Sequence, residues 1–134
     1  MKHEPRGIRN NNPGNIRYNA IGWVGLALPP SDGEFCVFTE PKYGIRALAR
    51  IIKVYNTKYG INTVAGIVKR WAPPCENDTN AYIRSICQQT GFNATSKLNL
   101  ADEKVLLALV KSIIKHENGK QPYTDKEIIE GLRC

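Results

Sequence analysis

Histidine and cysteine are sparse in this chain, two and four in 134 residues, and neither clusters. Cys36, Cys75, Cys87 and Cys134 lie far apart, and no Cys-x-x-Cys or His-x-x-x-His pair occurs, so no metal site is expected. The even count permits two disulfides, but four free thiols, the inner ones acting as small hydrophobes, is the simpler expectation. A Gly-x-x-x-x-Gly-Lys loop and an Asp-x-Asp-x-Asp-Gly run are also missing, which leaves nucleotide and calcium sites without support and no cofactor expected. Long apolar runs are absent: Gly22 to Pro30 falls short of the roughly 18 residues a membrane span requires. Polar Asn10 to Asn12 stand where the apolar core of a secretory signal would lie, so export is expected to depend on another carrier. Acidic residues are few, 12 against 19 Lys plus Arg, and the net charge of +7 points to anionic partners such as nucleic acid, membrane surfaces or wall polymers.

What is present fits one ordinary globular domain: 42% of the residues are hydrophobic, and no repeat or low-complexity linker interrupts them. Residues 5–40 hold Gly7, Gly14, Gly22, Gly25 and Gly33 with Pro13, Pro29 and Pro30, punctuation too dense for long helices. This segment is expected to form a loop and β lobe, with short strands at Ile16–Tyr18, Gly22–Leu28 and Glu34–Phe38 and a turn at Pro29–Gly33. Residues 41–134 are expected to form a helical lobe of about five helices. The first, capped by Thr39, carries Ile45, Leu48, Ile52, Tyr55 and Tyr59 and ends at Gly60. The second runs from Thr63 to Pro73-Pro74, and the third from Asn77 or Asp78 to Gly91. The fourth, Leu100 to His116, is the most apolar and should be central. The fifth opens with the capping box Thr124-x-x-Glu127. The fold class is therefore mainly α, with a small β hairpin lobe.

Three places in this frame could carry chemistry. Stepping along the fourth helix through Leu106, Val110 and Ile113 by fours and threes arrives at Glu117, so a carboxylate continues the apolar stripe, and Gly119 follows. A carboxylate held against apolar surface loses hydration in its charged form and can carry a proton near neutral pH as a general acid; a Glu frayed into solvent at a helix end is the plainer alternative. His116 and Asn118 are expected to point elsewhere, to the surface. Asn10, Asn11, Asn12 and Asn15 supply four amides in six residues, suited to sugar hydroxyls and N-acetyl groups and equally to building consecutive turns. Trp71 offers a flat face on which a sugar ring could stack, or a core ring. Glu76 offers a carboxylate on a stiff loop, or a charge favouring the next helix's N-terminus. Arg46, Arg50 and Lys53, preceded by Lys42, form a basic stripe that a solvated helix face explains; no nucleic-acid motif accompanies it.

The chain resembles a family of small phage and prophage proteins, often virion proteins, related to lysozyme-like peptidoglycan-cleaving domains. The resemblance rests on Arg6-Gly7-Ile8-Arg9-Asn10-Asn11-Asn12-Pro13-Gly14-Asn15-Ile16-Arg17, on Phe38 with Gly44-Ile45-Arg46-Ala47, on Trp71-Ala72-Pro73-Pro74 with Glu76-Asn77 and Thr79 to Tyr82, and on His116-Glu117-Asn118-Gly119. A more distant similarity joins Asn11-Asn12, Ile16 and Trp23-Val24-Gly25 to the β lobe of bacterial glucosaminidase and flagellar muramidase domains. In those enzymes the helix bearing the catalytic Glu precedes the β lobe, whereas here it follows, so the resemblance implies a circularly permuted arrangement. It implies glycan-strand cleavage of lytic transglycosylase or muramidase type, with Glu117 as the acid and Asn11, Asn12, Asn15, Trp71 and Tyr82 holding substrate. Glu76 and Glu34 are the candidates for a second carboxylate, and Glu4 occupies the conventional order ahead of the Asn cluster. Peptidoglycan, and possible neighbouring virion proteins, are the implied partners, and the protein would be made in the bacterial cytoplasm to act in the virion or at the host wall. The alternative is a non-catalytic virion structural or wall-binding protein of the same shape.

Overall fold

The structure is a computed structural model and describes residues 4–75 and 77–134. It is mainly helical with a small antiparallel hairpin, in the order α1 (Arg6–Arg9), β1 (Leu26–Ser31), β2 (Cys36–Phe38), α2 (Pro41–Tyr59), α3 (Val64–Trp71), α4 (Thr79–Thr90), α5 (Glu103–Asn118) and α6 (Asp125–Arg133). The single turn of α1 lies in the Gly- and Asn-rich segment where only loop and strand were expected. None of the helices among the described residues is long and apolar enough to cross a membrane.

The hairpin differs in its bounds from the expectation. β1 begins at Leu26 and takes in Pro29 and Pro30, which the sequence had placed in the turn; Leu26 pairs with Phe38 and Ser31 with Cys36. A two-stranded ribbon has free edges, so prolines that cannot donate are tolerated there. The turn is confined to the end of the expected span, at Asp32, whose Oδ1 accepts the N–H groups of Glu34 and Phe35 at 3.0 and 2.8 Å. The expected strand at Ile16–Tyr18 is reduced to a bridge between Arg17 and Phe35.

The helix ends follow side-chain chemistry. Thr63, Asp78, Asp102 and Thr124 cap α3, α4, α5 and α6 by accepting backbone N–H groups, and Thr124 with Glu127 forms the full capping box. Thr39 does not cap α2: its hydroxyl turns to the Gly25 carbonyl at 3.2 Å, tying the helix entry to the β lobe, and Glu40 takes the cap position. Helix α5 presents Leu106, Leu109, Val110, Ile113 and Ile114 to the core and packs against α1, α2, α4 and α6. It is thus the central element its apolar stripe predicted. Its last turns carry Glu117 from the core to the boundary with the Asn-rich loop. All four cysteines are free, with Cys36 buried and Cys75 and Cys134 exposed.

Candidate active site

Glu117 sits in the last turn of α5, where Gly119 in left-handed geometry (φ 74°) ends the helix. Its carboxylate does not lie bare against apolar surface. Oε1 accepts the side-chain amide of Asn15 at 3.0 Å, and Oε2 accepts the Tyr82 hydroxyl at 2.8 Å and, at a longer 3.4 Å, the Trp71 indole N–H. Four segments distant in sequence converge on it: the Asn loop, the end of α3, the middle of α4 and the end of α5. Tyr82 is 2% exposed, and burial first, then the negative charge of Glu117, push its phenol well above the ordinary range. It therefore stays an O–H donor at neutral pH. The His116 ring packs on Tyr82 with 3.8 Å between centroids, so His116, exposed as expected, nevertheless lines the space beside Glu117.

The four amides of the loop divide into two kinds. Asn12 is fully buried: its Nδ2 donates to the carbonyls of Ile16 and Cys36, both at 3.0 Å, and its Oδ1 accepts the Ile16 N–H. Asn11 donates to the Phe38 carbonyl at 3.1 Å, and Asn10 to Asp32. These three are spent on joining the loop to the hairpin, and neither Asn11 nor Asn12 lines the cleft, contrary to the substrate-binding role expected of them. Asn15 alone turns to Glu117. It holds φ 51°, a left-handed geometry that Asn tolerates better than most residues. Asn118, expected at the surface, is half-buried and donates to the Pro13 carbonyl at 2.8 Å, fastening the loop to α5. Gly7 completes the fit, since a Cβ there would lie 2.5 Å from Asn118 Oδ1 and 2.7 Å from Asn15 Oδ1.

Glu117 lies between two open spaces. A cleft of about 390 Å³ is walled by Asn15, Arg17, Phe35, Tyr55, Trp71 and Glu117. On the other flank a smaller hollow of about 290 Å³ is lined by Asn77, Asp78, Ala81, Tyr82, His116 and Glu117. Beyond Ile16, Asn19, Ile51 and Tyr55 the cleft continues into a trough of about 640 Å³ bounded by Ile21, Trp23, Val54, Tyr59 and Arg70. Trp71 thus lines the cleft together with Asn15, whereas Tyr82, a core residue, borders only the smaller hollow on the other flank of the carboxylate. The trough was not foreseen: Tyr55 and Tyr59 continue the α2 apolar stripe in sequence, but the helix outruns the core, and Tyr59 is 46% exposed.

Of the other acids considered, Glu34 is engaged at the hairpin tip, accepting Arg6 at 2.8 Å and Arg17 at 2.9 Å, and these two guanidiniums, Arg17 foremost, hold its carboxyl below the usual range. Glu4 is exposed and paired with Lys120. Glu76 lies outside the described residues. Among the described residues no group of three or more His, Cys, Asp or Glu could hold a metal ion.

No family model matches the chain. It is similar to Protein P5 of Pseudoalteromonas phage PM2, 43% identical over 130 residues that make up 95% of this chain and 79% of that protein.

Proposed function

The chain belongs to the same family as the phage PM2 Protein P5, and from that premise we propose that it cleaves the glycan strands of peptidoglycan, with Glu117 as the acid. A phage protein is a natural setting for such chemistry, since a phage must pass the wall of its host. The observation that carries the proposal is the Glu117 carboxylate, set between two open spaces that both reach it and held by Asn15, Tyr82 and Trp71. Open space on both sides of the acid suits a polymer that passes across it.

Glu117 gives its proton to the glycosidic oxygen as the bond from C1 breaks. The three donors fix the carboxylate's position, and Tyr82 is the adaptable one: a phenol oxygen can also accept, so it can hold the carboxyl in either protonation state, whereas the Trp71 indole can only donate. Hydrolysis requires a second carboxylate about 5–10 Å away to activate water or attack C1. Among the described residues the groove offers only Asp78, and its Oδ1 accepts the Ala81 N–H at 3.0 Å as the cap of α4. A transglycosylase route needs one acid: the muramic acid 6-hydroxyl attacks C1, its proton returns to Glu117, and a 1,6-anhydro end forms with no water consumed. Glu117 is the one well-placed acid among the described residues, and on those residues that route is the one we favour. The net charge of +7 adds a salt-sensitive attraction to an anionic wall.

The test is digestion of purified sacculi followed by mass spectrometry of the soluble fragments. Fragments with 1,6-anhydro ends are expected; reducing ends would place the protein among hydrolases, and co-sedimentation without any release would make it a non-catalytic wall-binding or virion protein.

A further inference from the structure

The trough beyond Tyr55 differs in chemistry from the cleft that leads to it. Ile21, Val54 and Tyr59 are each close to half exposed, at 49%, 46% and 46%, so an apolar wall is left uncovered. At its rim stands one cation. The Arg70 guanidinium lies 3.9 Å from the centre of the Tyr59 ring and 5.4 Å from that of Tyr55. Among the described residues Arg70 has no hydrogen-bond or ion-pair partner, as is also true of Arg9, Arg46, Arg50 and Arg84; what sets Arg70 apart is that it lies over two tyrosine rings at the trough. Stacking fixes the plane of the guanidinium and leaves the N–H groups at its edge for a ligand.

A bare sugar ring carries a hydroxyl on most of its carbons and needs a polar partner for each, which this trough supplies only sparsely: besides Arg70 its polar side chains are Asn19, the tyrosines and Trp23, whose indole N–H is buried. A short peptide with methyl side chains and free carboxylates matches an apolar wall ending in one unpaired guanidinium. The trough is also continuous with the cleft through Ile16, Asn19, Ile51 and Tyr55, so its occupant can be covalently joined to a sugar lying beside Glu117. We propose that the trough receives the carboxylate-bearing stem peptide of the glycan strand, with Arg70 as the residue that recognises its charge. The protein then selects strands that still carry their peptides over strands stripped of them. This inference rests on the assignment of the glycan strand to the cleft, and its test separates the two.

Binding is measured with the Glu117→Gln protein, which leaves the ligand intact, using three probes: the peptidoglycan disaccharide with its tetrapeptide, the same disaccharide without peptide, and the tetrapeptide form with its peptide carboxylates amidated. The tetrapeptide form is expected to bind about tenfold more tightly than the other two, as one charge-assisted contact would give. In the Glu117→Gln, Arg70→Gln double variant that advantage should vanish. Equal binding of all three probes, or an advantage that survives Arg70→Gln, overturns the proposal. If the Arg70-dependent advantage holds while wild-type protein releases nothing from sacculi, the peptide site stands and the catalytic assignment falls; release from sacculi with no such advantage has the opposite meaning.

Discussion

Asn15 and Glu117 stand 102 positions apart in sequence, and the amide of one donates to the carboxylate of the other at 3.0 Å. This bond joins the loop lobe to the helical lobe at the carboxylate between the two open spaces. Asn15→Gly keeps the left-handed backbone and removes only the amide. Cleavage of sacculi is expected to fall roughly 10- to 100-fold while the thermal midpoint moves little, because the lost hydrogen bond positions the proposed acid. A stability loss with activity intact would show that Asn15 serves the loop alone.

Asn12 has the opposite profile. Replacing it with Ala strands the buried Ile16 N–H and removes a donor from the carbonyls of Ile16 and Cys36, of which the Ile16 carbonyl keeps the Cys36 N–H at 2.9 Å. The expected cost is about 2–4 kcal/mol, read from urea unfolding. A variant as stable as wild type would mean that the loop finds other partners.

The glycine at position 7 tests the packing between these groups. In Gly7→Ala the added methyl meets Asn118 Oδ1 and Asn15 Oδ1 at distances no Cβ tolerates. Displacement of Asn15 should lower activity by at least the factor seen for Asn15→Gly, with a chemical-shift change at the Asn118 side-chain amide. An unchanged Asn118 signal would contradict the close fit.

How far the sequence revealed this arrangement depends on the range of the interaction. The step from Leu106 through Val110 and Ile113 to Glu117 is a property of one helix, and periodicity located it. The caps at Thr63 and Thr124 are local as well. Asn118 escaped because its partner, the Pro13 carbonyl, lies at the other end of the chain. His116 is turned by one residue from Glu117, but α4 packs alongside α5 and brings Tyr82 under its ring. Pro29 and Pro30 resemble turn residues by type, and only the free edges of a two-stranded ribbon explain them within β1. The four asparagines were legible as a site or as turns; the fold divides them, and that division depends on the hairpin and on α5, which no local pattern contains.

Titration of the buried phenols gives a pH dependence with a definite sign. Tyr82 is held well above the ordinary range by burial, and burial pushes Tyr123 up to about 12. Unfolded phenols titrate near pH ~10. Above that pH the unfolded chain releases protons that the folded chain keeps, so these groups' contribution to stability is complete below about pH 10 and is lost as pH rises through the folded values. Urea midpoints should fall between pH 9 and pH 12, and the fall should be shallower in Tyr82→Phe. An identical slope in wild type and Tyr82→Phe would show that the Tyr82 hydroxyl is free to ionise in the folded protein.

The most direct measurement compares wild type with Glu117→Gln on the same purified sacculi, with circular dichroism confirming that both are folded. Gln keeps the length and shape of the side chain and cannot deliver the proton. Release of soluble fragments is expected to fall by about 10²- to 10⁴-fold, the usual contribution of one general acid. Release by the folded Gln variant at the wild-type rate would contradict the assignment of Glu117 as the acid.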